Sequence, residues 1–215
     1  MIKAVIFDMD GVLIEAKDWH YEALNRALAH FGHCISRYDH LVTFDGLPTR
    51  KKLEMLTREQ GLPKALHGLI NDLKQRYTLE IVHARCRPYF PHEYAISRLK
   101  ARGYKLGVAS NAVRASVELM LGKAALADYF DALVSNQDVR LPKPAPDIYL
   151  HAAARLGVLP SECLVVEDNH HGIAAAEAAG AHVMVVGGIA DVNWDNINHH
   201  LNLAIEAGVP VASAA

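Results

Sequence analysis

Five short, largely apolar runs punctuate the chain, and stretches of helical spacing fill the intervals between them. Ala4 to Phe7 is unbroken apolar sequence that stops at Asp8, Asp10 and Gly11, so it reads as a buried strand ending in a polar turn. The other runs are Lys105–Ala109, Phe130–Val134, Cys163–Val166 and Ala181–Val186. Leu24 and Leu28, four apart, mark a helix that Asp18 is expected to cap and that runs to Ala29, with Gly32 beyond its end. Leu53, Met55 and Leu56 mark a second over Thr49–Glu59, stopped by Gly61-Leu62-Pro63. Leu66, Leu69, Ile70, Leu73 and Tyr77 mark a third, from Lys64 to about Ile81. Further helices are expected over His92–Ala101, Ala112–Leu121, Pro146–Leu156, His170–Ala179 and Asn193–Leu203, several ending at a glycine. The small apolar tail from Gly208 is expected to fray.

Strands that alternate with helices build a parallel sheet covered on both faces, an α/β Rossmann-like doubly wound core. Residues 15–83 break the alternation, because they carry helices and no convincing strand. The expected organisation is a core from 1–14 and 84–215, with a small helical bundle inserted at 15–83.

Composition narrows the function classes. At 215 residues the chain is one domain, or one with a sizeable insertion. No apolar run reaches the length of a membrane span, and the amino terminus does not read as a signal peptide. A net charge of −2 without a basic block gives no reason to expect nucleic acid. Cys34, Cys86 and Cys163, odd in number and widely spaced, suit reduced thiols and a cytoplasmic setting. The 13 histidines show no zinc spacing, and His170-His171 and His199-His200 are read as solvated helix-end residues.

Ligands of doubly wound sheets lie beyond the carboxyl ends of the strands. Three of the expected strands end there in polar signatures: Asp8/Asp10, Ser110/Asn111 and Glu167/Asp168. Asp8 and Asp10, two apart on extended chain, point the same way and need a cation or a shared proton between them. Lys143, in a loop stiffened by Pro142, Pro144 and Pro146, presents one cation.

These segments resemble the four motifs of the haloacid dehalogenase superfamily, in that family's order. Asp8-Met9-Asp10-Gly11-Val12-Leu13 is similar to motif I, and Val108-Ala109-Ser110-Asn111-Ala112 to motif II. Lys143-Pro144-Ala145-Pro146-Asp147-Ile148-Tyr149 is similar to motif III. Val165-Val166-Glu167-Asp168-Asn169, with the alanine-rich helix after it, is similar to motif IV. The insertion falls where that family places its helical C1 cap. The branch it resembles is that of the β-phosphoglucomutase-like phosphatases and mutases; a dehalogenase is disfavoured because Asp10 is present. The hinge after motif I departs from the family pattern, reading Glu15-Ala16-Lys17-Asp18.

The resemblance implies Asp8 as nucleophile on phosphorus and Asp10 as general acid and base. It implies a magnesium ion held by Asp8, Asp10 through its carbonyl, Glu167 and Asp168. Ser110, Asn111 and Lys143 would hold the phosphate, with the start of the next helix favouring an anion. His20 and Arg50 match cap positions that face substrate, and Lys74 is a further candidate. The expected function is a magnesium-dependent phosphatase of a small sugar or polyol phosphate, as a monomer or weak dimer. The alternatives are a β-phosphoglucomutase-like phosphomutase, told apart by isomerised product, and a catalytically degenerate binding module, told apart by lack of any turnover.

Overall fold

The computed structural model describes residues 1–44 and 46–207. In chain order the elements are β1 (Ala4–Phe7), α1 (Lys17–Ala29), α2 (Arg37–Val42), α3 (Thr49–Gln60), α4 (His67–Arg85), α5 (Phe90–Ala101) and β2 (Lys105–Ala109). There follow α6 (Arg114–Lys123), β3 (Ala132–Val134), α7 (Asp147–Leu156), β4 (Cys163–Glu167), α8 (His170–Ala179), β5 (His182–Val185) and α9 (Trp194–Ala207). Among the described residues the strands form one parallel sheet, ordered β3-β2-β1-β4-β5.

The unbroken apolar character of β1 follows from its place in that sheet. Phe7 is paired with Val108 of β2 on one side and Val166 of β4 on the other. Val5 and Phe7 point to one face, where Ile96 and Leu99 of α5, Val117 and Met120 of α6, and Ile197 and Leu201 of α9 cover them. Ala4 and Ile6 point to the other, under Ile148, Ala152 and Leu156 of α7 and Ala175 and Ala176 of α8. A strand buried on both faces has no polar side to alternate with. Each large side chain so buried stabilises the fold by about 1.5–3 kcal/mol relative to exposure.

A third apolar cluster holds Leu24, Leu28, Phe44, Leu53, Leu56 and Ile70, contributed by α1, α3, α4 and the turn before α3, with no strand residue in it. This is the region expected to be a helical insertion. Helix α4 runs to Arg85, so residue 83 falls inside its last turn, and Val82 and Cys86 at that end pack into the sheet-side core.

Several local expectations are corrected. Asp18 does not cap α1: the cap position is Ala16, and Asp18 lies in the first turn, accepting from Arg37 Nη2 at 2.7 Å. Helix α2 was not expected; Ser36 caps it, accepting from the Asp39 amide at 3.0 Å. Helix α6 starts at Arg114 rather than Ala112. A short 3-10 turn at Ala127–Tyr129 leads into the Phe130–Val134 run, the strand begins only at Ala132, and Phe130 packs edge-on against Phe7, ring centroids 6.1 Å apart. Leu69 faces solvent at 50% exposure, while Ile70 beside it is buried. The tail from Gly208 lies outside the described residues.

Candidate active site

Sheet order brings the three polar strand ends together. Strand β1 lies between β2 and β4, so Asp8, Ser110 and Glu167 leave adjacent strands at the same edge. The Asp8 amide continues the ladder, donating to Val166 O at 3.0 Å. A cleft of about 230 Å³ opens there, lined from the core by Asp8, Asp10, Ser110, Lys143 and Asp168. Gly46 closes over it: its Cβ position would fall 2.6 Å from Asn169 Oδ1, and Asn111 Nδ2 donates to its carbonyl at 3.4 Å.

Lys143 reaches this edge from the loop before α7. Its Nζ donates to Asp8 Oδ1 at 2.7 Å and to Glu167 Oε1, and its backbone amide donates to Asn111 Oδ1 at 3.1 Å. Burial alone would lower this ammonium, but Asp8 and Glu167 outweigh it and hold it above the usual lysine range. Burial also pushes Asp8 well above the usual carboxylate range, against Lys143 and with help from the Glu167 and Asp10 charges. Glu167 Oε1 accepts a further hydrogen bond from Tyr149 OH at 2.6 Å, and Oε2 accepts from the amides of Asp168 and Asn169 at 3.1 and 3.3 Å. Gly172 leaves room for that carboxylate, since a Cβ there would lie 1.7 Å from Oε1.

Asp10 turns the other way, toward the helices of the 15–83 segment. His20 of α1 places Nε2 3.0 Å from Asp10 Oδ2, and Lys74 of α4 places Nζ 3.2 Å from His20 Nδ1. This assigns the proton to His20 Nε2, with Nδ1 accepting from the ammonium. Burial would raise Asp10, but His20, Lys74 and Lys143 bring it below the usual range. Burial and then Lys74 lower His20, and burial and then Lys52 lower Lys74 to about 8.

The other expected residues divide. Ser110 is buried at the edge, its Oγ accepting from the Ala112 amide at 3.1 Å. Arg50 lies at the rim with its side chain 84% exposed, and its Nε is 3.7 Å from Glu54 Oε1 one turn on. His171, expected to be solvated, is half-buried and lines the cleft; His170 is exposed. His199 and His200 lie within α9 rather than at a helix end. Lys17, Lys52 and Tyr149 were not singled out from sequence, yet Lys52 is buried in the cleft wall, Tyr149 holds Glu167, and Lys17 Nζ lies 2.8 Å from Asp168 Oδ2.

The donors present suit a hard divalent cation. Asp8, Glu167 and Asp168 each offer an oxygen within 4.8 Å of the others. Asp10 Oδ1 is buried without a hydrogen-bond partner among the described residues. A set of oxygen ligands this rich in carboxylate is costly to bury unless positive charge joins it.

A profile of the haloacid dehalogenase-like hydrolase family matches residues 5–186. The chain is 32% identical over 178 residues to fructose-1-phosphate phosphatase YqaB of Escherichia coli strain K12, covering 82% of this chain and 92% of that protein. It is 30% identical over 203 residues to β-phosphoglucomutase of Bacillus subtilis strain 168, covering 86% and 84%. The crystal structure of β-phosphoglucomutase from Clostridium difficile shares the fold, with a TM-score of 0.83 at 22% identity over 96% of this chain and all (100%) of that one.

Proposed function

The chain belongs to the haloacid dehalogenase-like hydrolases, and on that footing we propose that it is a magnesium-dependent phosphatase of a small sugar or polyol phosphate. The observation that carries this reading is the placement of Asp8: a buried carboxylate at the end of the central strand, gripped by Lys143, with Asp10 turned to a separate partner. One aspartate is thereby set for attack and the other for proton transfer.

An Asp8 carboxylate oxygen attacks phosphorus, and the bond from phosphorus to the ester oxygen breaks. The leaving alkoxide takes a proton from Asp10, whose carboxyl is ionised in the free protein and is protonated only once the bound phosphate adds negative charge beside it. Asp10, now ionised, takes a proton from a water molecule, whose oxygen attacks the phosphorus of the aspartyl-phosphate. The bond between phosphorus and Asp8 breaks, leaving inorganic phosphate and the starting carboxylate. Lys143, Ser110 and Asn111 hold the non-bridging oxygens of the transferring phosphoryl group. Asp8, the Asp10 carbonyl and Asp168 would hold magnesium, which when bound supplies charge stabilisation for the transferring phosphoryl group. Glu167 stands beside this set, but both its oxygens are already engaged, so it chiefly fixes Lys143 and the turn into α8.

Residues 15–83 act as a cap over the cleft, with His20, Lys74 and Arg50 presented to the part of the substrate that does not react. The enzyme works as a monomer or weak dimer in the cytoplasm; no described helix is long and apolar enough to cross a membrane, and all three cysteines are unpaired.

A second reading is transfer of the phosphoryl group to a sugar hydroxyl instead of water. The contact between Asp10 and His20 favours it, because it ties the proton-transfer group to the cap and so to a bound sugar. A screen of phosphorylated sugars and polyols with magnesium separates the two. Free phosphate supports the phosphatase, whereas isomerised sugar phosphate supports the mutase. Absence of any turnover would leave only a binding module.

A further inference from the structure

Lys17, the first residue of α1, bears directly on the carboxylate cluster. Its Nζ lies 2.8 Å from Asp168 Oδ2; the lysine side chain is 29% exposed and the aspartate 3%. The pair has a seat in the backbone. Gly11 turns with φ +88°, and a Cβ there would fall 2.1 Å from Asp168 Oδ2 and 3.0 Å from Lys17 Cε. Only a residue without a side chain leaves the slot in which the pair lies.

Resting on the cation reading above, we propose that Lys17 is an intramolecular competitor for the divalent ion at Asp168. A carboxylate buried to this degree needs a positive partner, and Lys17 supplies one while no metal is bound. Two cations on one carboxylate repel each other at short range. Of the two partners only the lysine can leave at low cost, since it is a flexible chain with nearly a third of its surface already in water. Metal loading is thus an exchange: the ion takes Asp168, and Lys17 swings out. The ion affinity is therefore lower than the acidic residues alone would set. Loading also releases a tie between the start of α1 and the turn after β4.

The test is calorimetric titration of manganese or magnesium into the full chain without substrate, comparing wild type with Lys17→Gln, Lys17→Met and Lys17→Arg. Both uncharged variants should bind the ion about 10-fold more tightly, a difference of about 1.4 kcal/mol. Lys17→Arg, which keeps the charge, should stay within about twofold. Using two uncharged variants guards against one that does not fold, which circular dichroism would reveal. Binding by wild type that is unchanged or weakened in the folded uncharged variants overturns the inference while leaving the cation reading intact. No ion binding by any of the chains overturns both.

Discussion

Lys143 Nζ sits 2.7 Å from Asp8 Oδ1, although 135 positions separate the two residues in the chain. The same ammonium donates to Glu167 Oε1, so one buried cation joins two buried carboxylates from adjacent strands. Its removal leaves charges that burial makes expensive. Lys143→Ala should therefore lower stability by about 3 kcal/mol and reduce turnover by at least about 100-fold. Thermal unfolding at neutral pH and steady-state kinetics measure the two effects. Wild-type melting together with wild-type turnover would show that the pair does neither job.

Two helical glycines predict opposite outcomes for the same substitution. In Gly172→Ala the new Cβ would meet Glu167 Oε1 at 1.7 Å and Cδ at 2.0 Å, so the carboxylate must leave Lys143 and Tyr149. The expected cost is about 2 kcal/mol or more, with a parallel fall in activity. Gly122→Ala in α6 meets nothing within 4 Å and should gain about 0.5–1 kcal/mol from helix propensity. Denaturant melts of the two variants decide it; equal shifts would mean that the contact with Glu167 is immaterial.

Asp138 predicts an acid-sensitive contribution to stability. Burial alone would raise this carboxyl, but hydrogen bonds from Ser135 and the Arg114 guanidinium bring it to about 2. A carboxyl whose folded value is depressed stabilises above its unfolded value, near 3.9, and loses that contribution as pH falls toward 2. Allowing for solvent screening, the contribution at neutral pH is about 1–2 kcal/mol. Asp138→Asn should be less stable by that amount at pH 7 and converge on wild type only as pH falls below about 2. A difference that stays constant with pH would assign the effect to packing.

The cap residues should differ in weight. Lys74 is buried and 3.2 Å from His20, whereas Arg50 is mostly in water beside Glu54. Lys74→Met should lower kcat/KM for the true substrate by about 100-fold, and Arg50→Ala by about 10-fold or less. Hydrolysis of p-nitrophenyl phosphate, which offers the cap little to hold, should change less in both. Equal losses on both esters would move Lys74 from substrate selection to support of Asp10.

The strand ends were legible because a covered parallel strand is continuously apolar and stops abruptly, so Asp8, Ser110 and Glu167 stood out without any knowledge of contacts. Other features depend on partners far away in sequence. Lys17 reads as an ordinary solvated lysine at a helix start until Asp168 is placed beside it. Asp18 has the chemistry of a cap, yet Arg37 claims its side chain. Helix α2 spans Arg37–Val42, too short to show a helical period, and its Tyr38, Leu41 and Val42 are exposed. Gly172 looks like one more small residue in an alanine-rich helix, and its role appears only where Glu167 lies against it.

The central claim is that Asp8 attacks phosphorus. Asp8→Asn keeps the shape of the side chain and removes its nucleophilic charge. Phosphate release from the best sugar or polyol phosphate, measured with magnesium present, should fall by at least about 1,000-fold, with an unchanged circular dichroism spectrum. Acid quenching of the wild-type reaction should trap a phosphoryl group on the peptide that contains Asp8. Turnover by Asp8→Asn near the wild-type rate would contradict the account.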